Sequence, residues 1–211
     1  MARHQVGSPG AATGLNVAIV GGSIAGCAAA IALRRAGCEV TVYERSRGKL
    51  EDRGAGIGMP LALLHTLIER DFVDASMAHF QATKSPFVLR ADAEDGRHVR
   101  GQLLWEQPIA AAVTNWGIVY RHLRSRIPDA IYHQGQEVTA ISEHGNDTVS
   151  VHLANSHSTQ FDLVVCADGQ QSMGRRLLFP AQPLYVGYIL WRGLAEEQAV
   201  ANISLFEDRV T

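Results

Sequence analysis

A glycine-rich turn placed directly after an apolar run is the feature that most constrains the fold of this 211-residue chain. The apolar run occupies residues 15–20, and the turn that follows it reads Gly21, Gly22, Ser23, Ile24, Ala25 and Gly26. The first glycine of such a turn permits a tight bend, and the helix that follows directs unpaired N–H groups and a partial positive charge at a pyrophosphate. We therefore predict a dinucleotide-binding βαβ unit at the start of the chain.

An acidic residue, Glu44, ends the second apolar run of this unit, where a carboxylate accepts hydrogen bonds from an adenosine ribose. The short glycine pattern is weak by itself, because Ser23 replaces its second glycine, and a glycine-rich turn without a ligand is the alternative. The longer pattern of residues that runs from Gly21 to Glu44 favours a nucleotide site. Small, apolar and turn-forming residues stand where the unit needs them, at Ala30, Leu33, Gly37 and Val40.

The composition indicates a globular protein with 46% hydrophobic and 19% charged residues. A formal net charge of −2 gives no basic surface for nucleic acid, and no apolar run approaches the roughly 20 residues that cross a bilayer. We expect no nucleic-acid or membrane partner. Residues 1–14 lack the apolar segment of a secretory signal and are predicted to be a disordered tail. Cys27, Cys38 and Cys166 lie apart in apolar segments, which favours buried thiols in the cytoplasm over a reactive cysteine.

Periodicity predicts an α/β fold with a parallel sheet and a β-meander. Helices are expected at residues 24–36, 60–71, 118–127 and 172–178. Strands are expected at residues 15–20, 40–43, 87–91, 99–105, 131–133, 138–143, 148–153, 158–161 and 163–167, with turns at 94–96 and 145–147. The strand at 163–167 is predicted to be fully buried, and residues 53–58 to form a glycine-rich loop. The second helix is predicted to bury Leu63, Leu64, Leu67 and Ile68.

Asp168 and Gly169 follow the last of these strands and form the second candidate site. A carboxylate and an unhindered backbone at the carboxyl edge of a parallel sheet lie where ligands of open α/β folds bind, although Asp-Gly is also a common β-turn pair. Arg121, on a basic helix, could reach phosphate or ribityl oxygens, the alternative being a solvated helix face. Arg53, beside the glycine loop, is a weaker candidate. The sequence contains no metal-binding motif and identifies no catalytic residue.

Taken together, these segments resemble the flavin-dependent aromatic hydroxylases, the single-component FAD monooxygenases of the para-hydroxybenzoate hydroxylase type. The segments that show this resemblance occur in the order of that family. They are the glycine turn with its acidic strand end, Glu44, Arg45 and Ser46, followed by residues 54–58, 120–123 and 163–176. The Gly-Gly-Ser turn and residues 185–193 look most like the branch that includes 2,6-dihydroxypyridine hydroxylase. The resemblance covers roughly residues 15–194.

The resemblance implies bound FAD, NADPH or NADH as co-substrate, and dioxygen used to hydroxylate a small aromatic or N-heteroaromatic substrate. By position, Glu44 matches the acid that binds the adenosine ribose, Arg121 the flavin-contacting arginine, and Asp168 the acid linked to both FAD and the reduced pyridine nucleotide. The resemblance also allows a homodimer for a full-length chain. Substrate identity and the choice between NADPH and NADH are left open.

Full-length members of the family continue with the rest of a substrate-domain sheet and a second Gly-Asp segment, which this sequence lacks. We therefore expect a Rossmann-like FAD-binding domain at residues 15–180, discontinuous and without its C-terminal part, and the start of a truncated substrate-domain β-sheet at 181–211. A strand is expected at residues 185–191. Two alternatives stay open: a truncated non-catalytic FAD-binding remnant, and another FAD or NAD oxidoreductase with the same nucleotide-binding unit.

Overall fold

The computed structural model describes residues 12–51, 55–89, 102–144, 148–179 and 184–189. Its strands are β1 (Asn16–Val20), β2 (Glu39–Glu44), β3 (Gly56–Pro60), β4 (Phe80–Leu89), β5 (Gln102–Asn115), β6 (Tyr132–Gln134), β7 (Val138–His144), β8 (Thr148–Leu153), β9 (Ser158–Phe161) and β10 (Leu163–Cys166). Its α-helices are α1 (Ile24–Arg35), α2 (Leu61–Glu69), α3 (Trp116–Arg124) and α4 (Met173–Leu178). The described residues separate into two compact units, one made of those within 12–51 and 119–189, the other of those within 55–118.

The first unit is built on a parallel sheet with the strand order β10-β1-β2-β6. The predicted parallel pairing of the first two strands is confirmed, with Ile19 opposite Val42. Val17, Ala18 and Ile19 of β1 are fully buried, because strands flank β1 on both sides. Because the strands of this sheet are parallel, their carboxyl ends all lie at one edge, where the glycine turn begins.

Helix α1 follows the turn and packs its small residues against this sheet. Its buried positions are Gly26, Cys27, Ala30 and Ile31. Gly37 adopts a φ of +89°, the left-handed conformation that ends a helix, as predicted. Residues 12–14, predicted to belong to a disordered tail, instead form a turn in which the Gly14 N–H donates to the Gly37 carbonyl at 2.9 Å.

A three-stranded antiparallel sheet, β7-β8-β9, completes the first unit and confirms the predicted meander. Its inner face joins the parallel sheet in a core cluster formed by Ala18, Val20, Tyr43, Val138, Val151 and Phe161. The predicted turn at 145–147 lies outside the described residues. This core holds the end of β2 against the start of β7, which places both beside the glycine turn.

The second unit contains the antiparallel sheet β3-β5-β4, and α2 follows β3 directly. The glycine loop predicted at residues 53–58 was wrong for residues 56–58, because Gly56–Pro60 pairs with β5 as a strand, while residues 53 and 54 lie outside the described residues. Strands β4 and β5 are also longer than predicted, and Phe87 stacks on Trp105 at 4.9 Å between ring centroids. The turn predicted at 94–96 lies outside the described residues.

Three further predictions about burial and strands need correction. Leu64 is the buried residue of α2, whereas Leu67 and Ile68 are half-buried and Leu63 is 46% exposed. Strand β10 is only half-buried, since it is the edge of its sheet. Residues 184–189 form no strand, because none of the described strands pairs with them; residues 190 and 191 lie outside the described residues. In the part of the chain that the structure describes, no helix is both long and apolar enough to cross a membrane.

Candidate functional site

The turn after β1 brings three chain segments into close contact. Gly21 has a φ of +98°, and its N–H donates to the Tyr43 carbonyl at 2.8 Å. A Cβ at Gly21 would lie 2.5 Å from the Ala167 carbonyl oxygen. Glycine is therefore required here both for the backbone conformation and for the approach of the chain that leaves β10.

The N-terminus of α1 begins at this turn and keeps its polar groups open to a ligand. Ser23 is the N-cap, but its side chain makes no capping hydrogen bond, and the first turn of α1 contains no acidic residue. Neither a hydroxyl nor a carboxylate therefore occupies the positive end of the helix. An anionic group such as a phosphate is the ligand that this arrangement favours.

Glu44 lies at the carboxyl end of β2 and is 6% exposed. Its Oε2 accepts the Gly22 N–H at 2.8 Å, and its Oε1 accepts the Ser46 N–H at 2.7 Å. The carboxylate thus fastens the glycine turn to the segment that leaves β2. Each oxygen retains a lone pair, so a ribose hydroxyl can still donate to it.

Asp168 lies just beyond the carboxyl end of β10, next to the turn. Its Oδ2 accepts the Met173 N–H at 2.7 Å, which ties it to the start of α4. Its Oδ1 is buried and accepts no hydrogen bond from the residues that the structure describes. Because a buried carboxylate oxygen without a partner is costly, this atom points to a donor supplied by a ligand. Gly169 has a φ of +78°, and a Cβ there would meet open space.

These elements surround a cavity of about 530 Å³ in the first unit. Seven of the predicted site residues line it: Gly21, Ser23, Ala25, Glu44, Arg45, Asp168 and Gly169. Gly22, Ile24 and Gly26 shape the turn but do not line the cavity. Arg121 is exposed and is not a lining residue, and Arg53 lies outside the described residues. The roles of these two arginines stay predictions.

Sequence reasoning missed several residues that line the cavity: Leu50, Gln136, Glu137, Val138, Met173 and Arg176. It also missed Tyr132, whose hydroxyl donates to the Gly22 carbonyl at 2.9 Å. A Cβ at Gly22 would lie 2.3 Å from that hydroxyl oxygen. No local pattern identifies Tyr132, because the contact joins residues 110 positions apart.

The thiol of Cys27 also contacts the turn, because its Sγ donates to the Gly22 carbonyl at 3.2 Å. Burial raises the pKa of Cys27 to about 12, so this thiol is a neutral donor at physiological pH. Cys27 and Cys38 are buried as predicted, and Cys166 is half-buried. Among the described residues, no group of three or more His, Cys, Asp or Glu side chains is arranged to hold a metal ion.

Comparison with known proteins gives a short family match and several long relatives. A family model described as "NAD(P)-binding Rossmann-like domain" matches residues 19–48. The 2,6-dihydroxypyridine 3-monooxygenase of Paenarthrobacter nicotinovorans is 30% identical over 197 residues, covering 92% of this chain and 47% of that protein. The aurachin C monooxygenase/isomerase of Stigmatella aurantiaca is 32% identical over 196 residues, covering 87% and 48%. The chain therefore spans about half the length of the curated relatives that it matches.

Comparison with solved structures also finds a dihydroxypyridine hydroxylase and a protein solved with FAD. The 2,6-dihydroxypyridine-3-hydroxylase from Arthrobacter nicotinovorans matches with a TM-score of 0.69 at 28% identity, covering 83% of this chain and 42% of that chain. HpxO from Klebsiella pneumoniae, solved with FAD and uric acid, matches with a TM-score of 0.63 at 18% identity, covering 81% and 43%. At this identity the second match concerns the fold alone. The predicted Rossmann-like fold class is confirmed.

Proposed function

The homologues of this chain are FAD-dependent aromatic hydroxylases, as its motifs predict, and we propose that the chain provides the FAD-binding half of such an enzyme. One observation carries the proposal. Ser23 and Ala25 at the N-terminus of α1, Glu44 and Asp168 line the same cavity at the carboxyl edge of the parallel sheet, and Asp168 Oδ1 has no hydrogen-bond partner among the described residues. This set of groups fits the anionic and hydroxyl-bearing parts of FAD.

Each group would bind a different part of the cofactor. The amides at the start of α1 would hold the pyrophosphate, and Glu44 would accept hydrogen bonds from the adenosine ribose. Arg45, exposed beside Glu44, would flank the adenosine end. Asp168 Oδ1 would accept from a hydroxyl of the cofactor, which would satisfy its unpaired oxygen. Residues 15–180 would then constitute the FAD-binding domain.

When bound, FAD supplies the redox chemistry, taking electrons from NADH or NADPH and using dioxygen to hydroxylate an aromatic ring. The protein contributes binding and orientation, and the apolar core behind the turn keeps water from the inner face of the site. We propose a small aromatic or N-heteroaromatic substrate, since relatives are named for 2,6-dihydroxypyridine and 3-amino-4-hydroxybenzoate. The hydroxylation is proposed for the complete enzyme.

The cofactor that co-purifies with the chain tests this function. The protein is expressed, the chromophore is released by denaturation, and it is identified by chromatography; FAD is expected. The FAD-loaded protein is then mixed anaerobically with NADH or NADPH, with and without 2,6-dihydroxypyridine, while the flavin absorbance is followed. Bleaching by one of the two nucleotides supports the proposal. Bound FAD that neither nucleotide reduces would instead favour a non-catalytic FAD-binding remnant.

A second candidate is an NAD-dependent oxidoreductase that uses the same βαβ unit. The family model matching residues 19–48 favours it, because that model is described by NAD(P) binding. Asp168 favours FAD, because it lines the same cavity as Glu44 and its Oδ1 accepts no hydrogen bond from the described residues. A colourless protein that binds NAD and not FAD would support this second candidate.

A further inference from the structure

The peptide groups on both sides of Gly22 are held by buried side chains from three different elements. The Gly22 N–H donates to Glu44 of β2, and the Gly22 carbonyl accepts from Tyr132 of β6 at 2.9 Å and from Cys27 of α1 at 3.2 Å. The turn would otherwise be soft, since two successive glycines have wide backbone freedom. Its conformation therefore depends on these side chains.

Tyr132 is the stronger of the two donors to the Gly22 carbonyl. A phenol has a single O–H, and Tyr132 gives it to Gly22, so Tyr120 donates to the Tyr132 oxygen across 3.1 Å. Tyr132 is 6% exposed, and Arg124 lies 4.1 Å above its ring. Burial also raises the pKa of Tyr132, so its hydroxyl stays a donor at physiological pH.

The hydrogen bond to the Gly22 carbonyl also sets the direction of the Ser23 N–H. In a planar trans peptide the C=O and N–H bonds point in opposite directions, so a Gly22 carbonyl directed at Tyr132 directs the Ser23 N–H away from it. Ser23 lines the cavity. A flipped peptide would present a carbonyl oxygen where an anionic ligand needs a donor.

We propose that Tyr132 is a positioning residue of the nucleotide site: its hydroxyl holds the Gly22 carbonyl and thereby keeps the Ser23 N–H available to a pyrophosphate. This inference rests on the proposed function and explains a feature of the turn. A side chain at Gly22 would occupy the space of the Tyr132 hydroxyl, 2.3 Å from its oxygen. Gly22, which does not line the cavity, is therefore required for Tyr132 and not for the ligand.

The test compares a ligand that has a pyrophosphate with one that has none. ADP and adenosine are titrated into the wild-type chain and into Tyr132→Phe, with Tyr120→Phe as the matched control, because it removes the neighbouring hydroxyl, which bonds to Tyr132, and keeps the Tyr132 hydroxyl that donates to Gly22. Tyr120→Phe/Tyr132→Phe is measured as well. That double variant leaves no hydroxyl of the pair unpaired, so it keeps the test valid if Tyr132→Phe alone folds poorly.

We expect Tyr132→Phe and the double variant to lose about tenfold in ADP affinity, the scale of one hydrogen bond, with adenosine affinity unchanged. Tyr120→Phe should keep the wild-type ratio of the two affinities. Equal losses for ADP and adenosine, or no loss for either, would overturn the inference, because a general structural role does not select for the pyrophosphate. A wild-type chain that binds neither ADP nor FAD would overturn the proposed function and the inference together.

Discussion

A Cβ atom on Gly26 would lie 1.8 Å from the carbonyl oxygen of Gly21, closer than any side chain can approach. The first turn of α1 is therefore packed directly on the backbone of the glycine turn. Gly26 is itself buried, and Ile19 Cγ2 of β1 would lie 3.4 Å from the same Cβ atom. No rotamer change can relieve this contact, because the obstructing atom belongs to the backbone.

We expect Gly26→Val to abolish FAD binding while most of the secondary structure is kept. The valine methyl groups would push the start of α1 away from Gly21 and misplace the amides that face the cavity. Flavin fluorescence measures the binding, and circular dichroism measures the helix content. Gly48→Ala is the matched control, because a Cβ there meets nothing within 4 Å. Equal FAD affinity for both variants would show that the glycine turn is not the FAD-binding site.

Glu44→Ala and Glu44→Gln should both weaken FAD binding, by roughly 1.5–3 kcal/mol. We expect Glu44→Gln to lose FAD affinity as well. Both carboxylate oxygens of Glu44 accept a backbone N–H, and the amide NH₂ of glutamine would face one of these donors. Binding is measured by titration. Glu39→Gln, at the exposed start of the same strand, is the control. Unchanged affinity in both Glu44 variants would mean that this carboxylate has no part in the site.

Asp168→Asn and Asp168→Ala should separate folding from binding. The asparagine oxygen can still accept the Met173 N–H, so the free energy of unfolding should change by less than about 1 kcal/mol, while FAD affinity falls because an NH₂ replaces the unpaired oxygen. The alanine should lose both. Urea denaturation and FAD titration give the two quantities. An asparagine variant with wild-type FAD affinity would contradict the assignment of Oδ1 to the ligand.

Thiol reagents should distinguish the three cysteines at pH 8. With a pKa of about 12, Cys27 is a thiolate in only about one molecule in ten thousand at that pH, and its side chain is fully buried. We expect Cys27 and Cys38 to react only after unfolding and Cys166, which is half-buried, to react first. Peptide mass spectrometry of the labelled protein identifies the sites. Rapid labelling of native Cys27 would show that the turn opens readily.

Much of the first unit could be predicted from sequence, because its signals are local. The predicted bounds of β8 and β9 match the structure, and those of β1, α1 and β2 differ by at most one residue at either end. Continuous apolar runs, alternation and a glycine cap each act within a few residues, so a single sequence contains them. The carboxylates at the ends of β2 and β10 follow from the same reasoning.

The parts that sequence could not predict depend on contacts between distant residues. Strand β3 contains two glycines, which disfavour a strand locally, and it forms because the distant strand β5 pairs with it, Gly56 lying opposite Asn115 and Pro60 opposite Ala111. Tyr132 resembles any apolar strand residue until the fold brings its hydroxyl to Gly22. The double backbone contact of Glu44 is likewise a property of the folded turn.

If the turn, Glu44 and Asp168 together form an FAD site, the purified chain must bind FAD. Binding is measured by titration with FAD while the quenching of flavin fluorescence is followed. We expect saturable quenching at one FAD per chain, competed by ADP and lost in Gly26→Val. Absence of quenching, or equal quenching by wild type and Gly26→Val, would contradict it.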